Sequence, residues 1–169
     1  QRVSRAVLFM DIRGFTAWSE QQAPEAVVGL LNQYYRVAEA TLGEGRTIKI
    51  KYTADEVMAV FAETAMAATD GSRMLAAAQR MLAESNLAAG AGLHHGPVVE
   101  GVLGGVGVKA YDFIGDTVNT AKRLCDAAKA GELLISREAC RAAGLPGVMQ
   151  REIIAKGKRE PLQAMVVAV

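Results

Sequence analysis

Two aspartates stand at points where the sequence predicts that a strand ends. Asp11 follows the apolar run that begins at Ala6, and Asp55 lies in the short segment between two further predicted strands. If those strands are neighbours, the two carboxylates face each other and repel unless a cation lies between them. Mg²⁺ takes such oxygen ligands and usually keeps substrate phosphates as well. The alternative is that each carboxylate only caps a turn.

A bend that contains glycine follows Asp11. Residues 12–16 read Ile12-Arg13-Gly14-Phe15-Thr16. A bend of this kind presents successive backbone N–H groups, which suits a phosphate. The signal is weak alone, because many loops that follow strands contain glycine.

A lysine and an aspartate have the chemistry to select a purine. Lys51 lies four residues before Asp55 on a predicted strand, and Asp112 lies in a predicted apolar strand over 111–114. An acid in an otherwise buried strand needs a partner. A fixed lysine donor and a fixed carboxylate acceptor match a ring nitrogen and the exocyclic amine of adenine. Read alone, Lys51 is more readily explained as a solvated strand lysine.

Three further polar residues suit a phosphorylated sugar. Asn119 and Arg123 are four residues apart on a predicted helix and therefore share one face. Arginine suits a phosphoryl group that gains charge, and asparagine can orient a sugar. Lys156 precedes Gly157 in a predicted turn between the last two strands. The alternative for all three is a solvated surface position.

The elements that must position these residues alternate between hairpins and crossover helices. Strands are predicted over 6–12, 47–52, 57–61, 88–103 with a break at Gly96-Pro97, 111–114, 132–135, 148–154 and 162–169, and helices over 24–42, 65–85, 116–130 and 136–143. This order indicates an α+β sheet with helices on one face. We find no internal repeat or linker, and we expect residues 1–169 to form one domain.

The composition excludes several classes of protein. Of 169 residues, 51% are hydrophobic and 22% charged, and the net charge is +1. A near-neutral chain gives no general electrostatic reason to bind nucleic acid or an anionic membrane. No apolar run approaches the roughly 20 residues of a membrane span. With two cysteines, we expect a cytoplasmic domain of a longer protein that carries regulatory domains elsewhere.

Three segments together resemble the class III adenylate/guanylate cyclase catalytic domain. They cover residues 8–16, 51–61 and 111–124, in the order and spacing of that family, and the resemblance extends over about residues 5–167. It implies a ferredoxin-like α+β fold with a mixed, mostly antiparallel sheet and helices packed on it. It also implies a head-to-tail homodimer with two active sites, each shared between the subunits.

The resemblance also implies a role for most of the candidate residues. Asp11, Asp55 and the Ile12 carbonyl match the site for two Mg²⁺ or Mn²⁺ ions. From the residues themselves, Gly14, Phe15 and Thr16 stay candidates for binding the substrate phosphates. Lys51 and Asp112 match the purine-selecting pair, Asn119 the ribose-orienting residue, Arg123 the transition-state arginine and Lys156 the triphosphate-binding lysine. The Lys/Asp pair is that of the adenylate type, which implies ATP as substrate, whereas guanylate cyclases place Glu and a small residue there.

One residue departs from the family pattern. Ala54 stands before Asp55 where the family usually has glycine. If that turn requires a positive φ, alanine costs about 1 kcal/mol or more, and the placement of Asp55 depends on it. Two alternatives therefore stay open beside an adenylate cyclase. One is a non-catalytic, cyclase-like module that binds a nucleotide or a partner, and the other is a guanylate cyclase.

Overall fold

The computed structural model describes residues 1–43, 46–154, 157 and 159–169. Its elements are β1 (Arg2–Arg13), α1 (Phe15–Glu20), α2 (Pro24–Thr41), β2 (Lys49–Thr53), β3 (Glu56–Phe61), α3 (Thr64–Ala83), β4 (Ala88–Leu103), β5 (Ala110–Ile114), α4 (Asp116–Ala127), β6 (Glu132–Ser136), α5 (Arg137–Ala143), β7 (Arg151–Ile153) and β8 (Leu162–Ala168). Within these ranges no helix is both long enough and apolar enough to span a membrane.

The strands form one sheet in the order β2-β3-β1-β4-β6-β8-β7, and β5 pairs with the second half of β4. Only the β4–β6 pair is parallel among the strand pairs described, and the other pairs are antiparallel. The prediction of an α+β fold with a mixed, mostly antiparallel sheet is therefore confirmed. The predicted hairpin at Asp55 is also present, because Thr53 pairs with Glu56.

The helices cover both faces of the sheet, so the prediction that they lie on one face is wrong. Leu8 and Met10 of β1 pack in the core formed with α2 and α3, whereas Val7 and Phe9 pack with α4 on the opposite face. The physical reason is that β1 is central and buried on both faces. A strand of that kind reads as a continuous apolar run rather than an alternating one.

Strand β4 is continuous, so the predicted break at Gly96-Pro97 is also wrong. Gly96 pairs with Arg5 and Pro97 with Ser4 of β1. On its other side β4 pairs with β6 only as far as Leu93 and with β5 only from Val99. Pro97 therefore lies where β4 has a single neighbour, and proline is tolerated at such an edge.

Helix α4 approaches β4 closely at Gly92. A Cβ atom built on Gly92 would lie 2.7 Å from the Cβ of Leu124 and closer still to the backbone nitrogen of Cys125. Because the nearest atoms belong to backbone, only a shift of the helix could make room. The missing side chain thus sets the depth at which α4 packs, and α4 carries Asn119 and Arg123.

We expect Gly92→Ala to lower the free energy of unfolding by about 1–3 kcal/mol, because an added methyl group overpacks the β4–α4 contact. Gly101→Ala is the matched control, since Gly101 lies on the same strand with no heavy atom within 4 Å of a built Cβ. Urea unfolding followed by circular dichroism measures both. Equal losses in the two variants would contradict this account of the packing.

Candidate active site

The two predicted metal ligands lie at the end of β1 and in the β2–β3 turn. Asp11 is the third-last residue of β1, and Asp55 is the second residue of the turn. The backbone N–H of Ile12 donates a hydrogen bond of 3.2 Å to Oδ2 of Asp55. The structure therefore brings Asp55 against the residue next to Asp11, as the sequence predicts for neighbouring strands.

The turn before Asp55 does require a positive φ. Ala54 has a φ of +50°, in the left-handed region that glycine adopts freely and alanine does not. The Gly-to-Ala departure therefore carries the expected strain of about 1 kcal/mol or more. Asp55 nevertheless reaches Ile12, so alanine has not displaced the carboxylate from β1.

Two cations that the sequence analysis missed surround Asp11. Arg13 Nη1 lies 3.0 Å from Asp11 Oδ1, and Lys122 Nζ lies 4.0 Å from Asp11 Oδ2. Lys122 also pairs with Glu56 at 2.7 Å and with Asp126 at 3.6 Å. Arg13 follows Asp11 by two residues and so shares its side of the strand, which was the available signal. No local sequence pattern predicts that Lys122 contacts β1.

The protein environment disfavours the charged form of the Asp11 carboxyl group. Burial raises the pKa of Asp11 above its usual value and Asp55 adds to that rise, while Arg13 and Lys122 oppose it. Oδ1 of Asp11 is buried, and its contact with Arg13 lacks the geometry of a hydrogen bond. An electron-rich oxygen is thus left without a hydrogen-bond donor at the predicted metal site.

This donor set fits a hard divalent cation. Two carboxylates and a nearby backbone carbonyl are oxygen ligands of the kind that Mg²⁺ binds through one or two carboxylates plus phosphates. The described residues contain no cluster of three or more Asp, Glu, His or Cys side chains that could enclose a metal alone. The site therefore suits an ion that arrives with, or is completed by, a phosphorylated ligand.

The glycine bend after β1 opens a short helix that the sequence analysis missed. Gly14 has a φ of +77° and precedes α1, in which Phe15 is buried and Thr16 is exposed. No side chain caps the first N–H groups of this helix. Backbone donors are therefore present at the predicted bend, although a helix of six residues adds little dipole.

Lys51 and Asp112, the two residues predicted to select a purine, lie next to each other. Lys51 Nζ lies 3.5 Å from Oδ2 of Asp112. Lys49, a second lysine on the same side of β2, lies 3.7 Å from Oδ1 and donates to the Tyr111 carbonyl. Burial opposes ionisation of Asp112, but the N–H of Phe113 and the two lysines outweigh it and lower the pKa of Asp112. Lys49 was missed, although its spacing from Lys51 placed both on one face.

Asn119 and Arg123 lie on α4, one turn apart. Asn119 is exposed and Arg123 is half-buried, while α4 buries Ala121 and Leu124 toward the sheet. Nη2 of Arg123 lies 3.8 Å from the position of a Cβ built on Gly157. The β7–β8 connection thus reaches Arg123. Lys156, which precedes Gly157, lies outside the residues that the structure describes.

By their chemistry, the candidate residues form two groups within one chain. Among the described residues, no hydrogen bond or ion pair joins Asp11 or Asp55 to Lys51, Asp112 or Arg123. One group has the chemistry of a metal site, and the other offers purine-matching and phosphate-matching side chains.

The family model and the similar proteins all indicate the same protein family. A family model described as the adenylate and guanylate cyclase catalytic domain matches residues 2–163. The germination-specific adenylate cyclase of Dictyostelium discoideum is 30% identical over 141 residues, which are 77% of this chain and 16% of that protein. Human retinal guanylyl cyclase 2 is 34% identical over 131 residues, 69% of this chain and 12% of that protein. The chain thus spans less than a fifth of either relative.

A solved structure agrees over the whole fold. The adenylyl cyclase CyaB from P. aeruginosa is 30% identical, with a TM-score of 0.89 over 100% of this chain and 96% of that chain. Because the similar proteins include both adenylate and guanylate cyclases, the likeness does not choose between the purines. That choice depends on the residues of this chain.

We expect Asp11→Asn to stabilise the metal-free protein near neutral pH. Burial raises the pKa of the folded carboxyl above its unfolded value, so the folded state binds the proton more tightly than the unfolded state. Wild type therefore gains stability as the pH falls through the folded pKa, and above it the cost of charge is fully present. Asparagine is neutral throughout and avoids that cost.

Thermal unfolding in the presence of a chelator measures this effect. The advantage of Asp11→Asn over wild type should be largest near neutral pH and shrink toward about pH 4. Asp126→Asn is the control, because Asp126 also pairs with Lys122 but is exposed. A less stable Asp11→Asn protein at neutral pH would show that Arg13 and Lys122 outweigh burial.

Proposed function

Because the chain belongs to the adenylate and guanylate cyclase catalytic domain family, we propose that it is an adenylate cyclase domain that converts ATP to 3′,5′-cyclic AMP and pyrophosphate. The observation that carries the choice of ATP is the Lys51–Asp112 pair at 3.5 Å. Lys51 donates to a ring nitrogen of adenine, and Asp112 accepts from the exocyclic amine. A guanine would present a carbonyl to the carboxylate, and two acceptors repel.

The ionised state of Asp112 supports this assignment. An ionised carboxylate offers only acceptor oxygens and accepts more strongly than a protonated carboxyl, and the lowered pKa of Asp112 keeps it ionised at neutral pH. Lys49 supports the same state from the other side of the carboxylate, at 3.7 Å. Lys49 is therefore a positioning residue for Asp112, whereas Lys51 is free to turn toward the base because half of its side chain is exposed.

The metal-binding group would consist of Asp11, Asp55 and the Ile12 carbonyl. These residues would hold two Mg²⁺ or Mn²⁺ ions, which lower the pKa of a bound hydroxyl and neutralise phosphate charge. Arg13 and Lys122 limit the repulsion between the carboxylates before the site is filled.

The remaining side chains act on the substrate. Asn119 orients the ribose so that its 3′-hydroxyl attacks the α-phosphorus in line. Arg123 stabilises the negative charge that develops on the α-phosphoryl oxygens. The backbone N–H groups of Gly14, Phe15 and Thr16, together with Lys156, bind the departing β- and γ-phosphates.

We propose that the active site is shared between two copies of the chain in a head-to-tail homodimer. No described hydrogen bond or ion pair joins the metal-binding residues to Lys51, Asp112 or Arg123, which agrees with a nucleotide that contacts the two groups on different copies. The metal-binding group of one copy would face Lys51, Asp112, Asn119 and Arg123 of the other.

We propose that the domain works in the cytoplasm. Both cysteines are buried and free, which agrees with a reducing compartment. Regulatory domains elsewhere in a longer protein would act by changing the geometry of the dimer.

We expect cyclic AMP from ATP, and little cyclic GMP from GTP, in the presence of Mg²⁺ or Mn²⁺. Specific activity should rise with protein concentration, and Asp11→Ala should lower it by roughly two orders of magnitude or more. Product analysis by chromatography measures both nucleotides. Preference for GTP would make the chain a guanylate cyclase. Tight nucleotide binding by a proven dimer without turnover would make it a non-catalytic module.

We expect mixed variants to recover activity if the site is shared. Asp11→Ala and Arg123→Ala are each inactive alone, but a dimer of one with the other has one intact site. Random exchange of subunits makes half of the dimers mixed, so activity should reach about one quarter of the wild-type value. Refolding the two variants together and assaying cyclic AMP measures this. No recovery above the separate variants would place both residues in a site within one chain.

A further inference from the structure

The turn that presents Asp55 contains a strained residue and an unusual support. Ala54 holds a φ of +50°. The hydroxyl of Tyr35, on α2, donates a hydrogen bond of 2.5 Å to the carbonyl oxygen of Ala54. We propose that Tyr35 is a positioning residue for Asp55, which holds the turn in the conformation that glycine would adopt without help. The inference rests on the proposed function only in treating Asp55 as a metal ligand.

The bond acts directly on the geometry of Asp55. The carbonyl of Ala54 and the N–H of Asp55 belong to one planar peptide unit. A donor fixed on the carbonyl therefore fixes the rotation of that plane and the direction in which the Asp55 chain begins. If the plane turned over, the carbonyl would leave Tyr35 and the carboxylate would leave Ile12.

Tyr35 is itself held in place. Its ring stacks on that of Tyr52, with centroids 4.3 Å apart and planes 28° apart. Tyr52 lies on β2 two residues before Ala54, so the helix and the strand that leads into the turn are joined by the stack. The hydroxyl of Tyr52 donates to Oε1 of Glu39 at 3.5 Å. Only the Tyr35 hydroxyl reaches the Ala54 carbonyl among the described side chains.

The carboxylate end of Asp55 has a second support. The backbone N–H of Ile12 donates to Oδ2 of Asp55, so this residue is held from β1 at its side chain and from α2 at its backbone. The Ile12 amide is also a reporter that needs neither metal nor nucleotide. Its exchange with solvent accelerates when Asp55 leaves it.

The test combines a variant that lacks the Tyr35 hydroxyl with a variant that relieves the backbone strain at Ala54. Tyr35→Phe removes the hydroxyl and keeps the stacked ring, and Tyr52→Phe is the matched control because its hydroxyl serves Glu39. Ala54→Gly removes the strain that the Tyr35 bond opposes. We compare wild type, the three variants and Tyr35→Phe/Ala54→Gly by amide exchange of Ile12 in the metal-free protein, measured by nuclear magnetic resonance.

We expect Tyr35→Phe to accelerate exchange of the Ile12 amide about fivefold, the effect of one hydrogen bond at an exposed turn. Tyr52→Phe should leave it unchanged, and in the Ala54→Gly background the effect of Tyr35→Phe should disappear. In the active protein, Tyr35→Phe should raise the Mn²⁺ concentration for half-maximal rate by a similar factor, with kcat at saturating metal retained.

Two results would overturn the proposal. One is an Ile12 amide that exchanges equally in wild type and Tyr35→Phe. The other is a Tyr35→Phe effect of equal size in the wild-type and Ala54→Gly backgrounds, which would indicate general packing. Both are read without substrate. A chain that makes no cyclic nucleotide would therefore refute the proposed function and leave the role of Tyr35 to be decided by the exchange data.

Discussion

Burial of β1 on both faces is the constraint on which the other features depend. A central strand with apolar side chains on both sides needs one layer of helices above it and one below, and α2 and α3 take one side while α4 takes the other. The same burial continues to the carboxyl end of the strand and reaches Asp11. A charged group placed there is unfavourable unless cations approach it. Arg13 and Lys122 supply positive charge near Asp11, and the proposed metal ions would do the same.

Helix α4 connects the two groups of candidate residues. Lys122 points toward Glu56 and Asp11, whereas Arg123, the next residue, approaches Gly157 in the β7–β8 connection. Neighbouring positions on a helix differ by about 100° in direction, so one helix serves both groups. In a head-to-tail dimer this helix would contact its own metal-binding group through Lys122 and the other active site through Arg123. A small rotation of α4 would therefore change both sites at once.

The sequence predicted those features whose cause is local. Strand ends, the hairpin and the i, i+4 spacing follow from short patterns, and they located Asp11, Asp55 and the Asn119–Arg123 pair on the right elements. Lys51 and Asp112 were selected because a lysine donor and a carboxylate acceptor match the ring nitrogen and the exocyclic amine of adenine. The side of the sheet taken by α4 was missed, because apolar periodicity indicates that a face is buried and not what buries it. Lys122 was missed for a related reason, since a long flexible side chain reaches across elements that no spacing rule connects.

The pairing of β1 also has a consequence for how the chain folds. One edge of β1 pairs with β3, with Phe9 opposite Met58, but its other edge pairs with β4, with Leu8 opposite Leu93. Contacts between residues so distant in sequence form slowly, and during synthesis β4 emerges long after β1. Until then the apolar strand β1 has an open edge, which is the feature that promotes association between unfolded chains. The strand that organises the native sheet is thus also the segment most in need of protection before the sheet is complete.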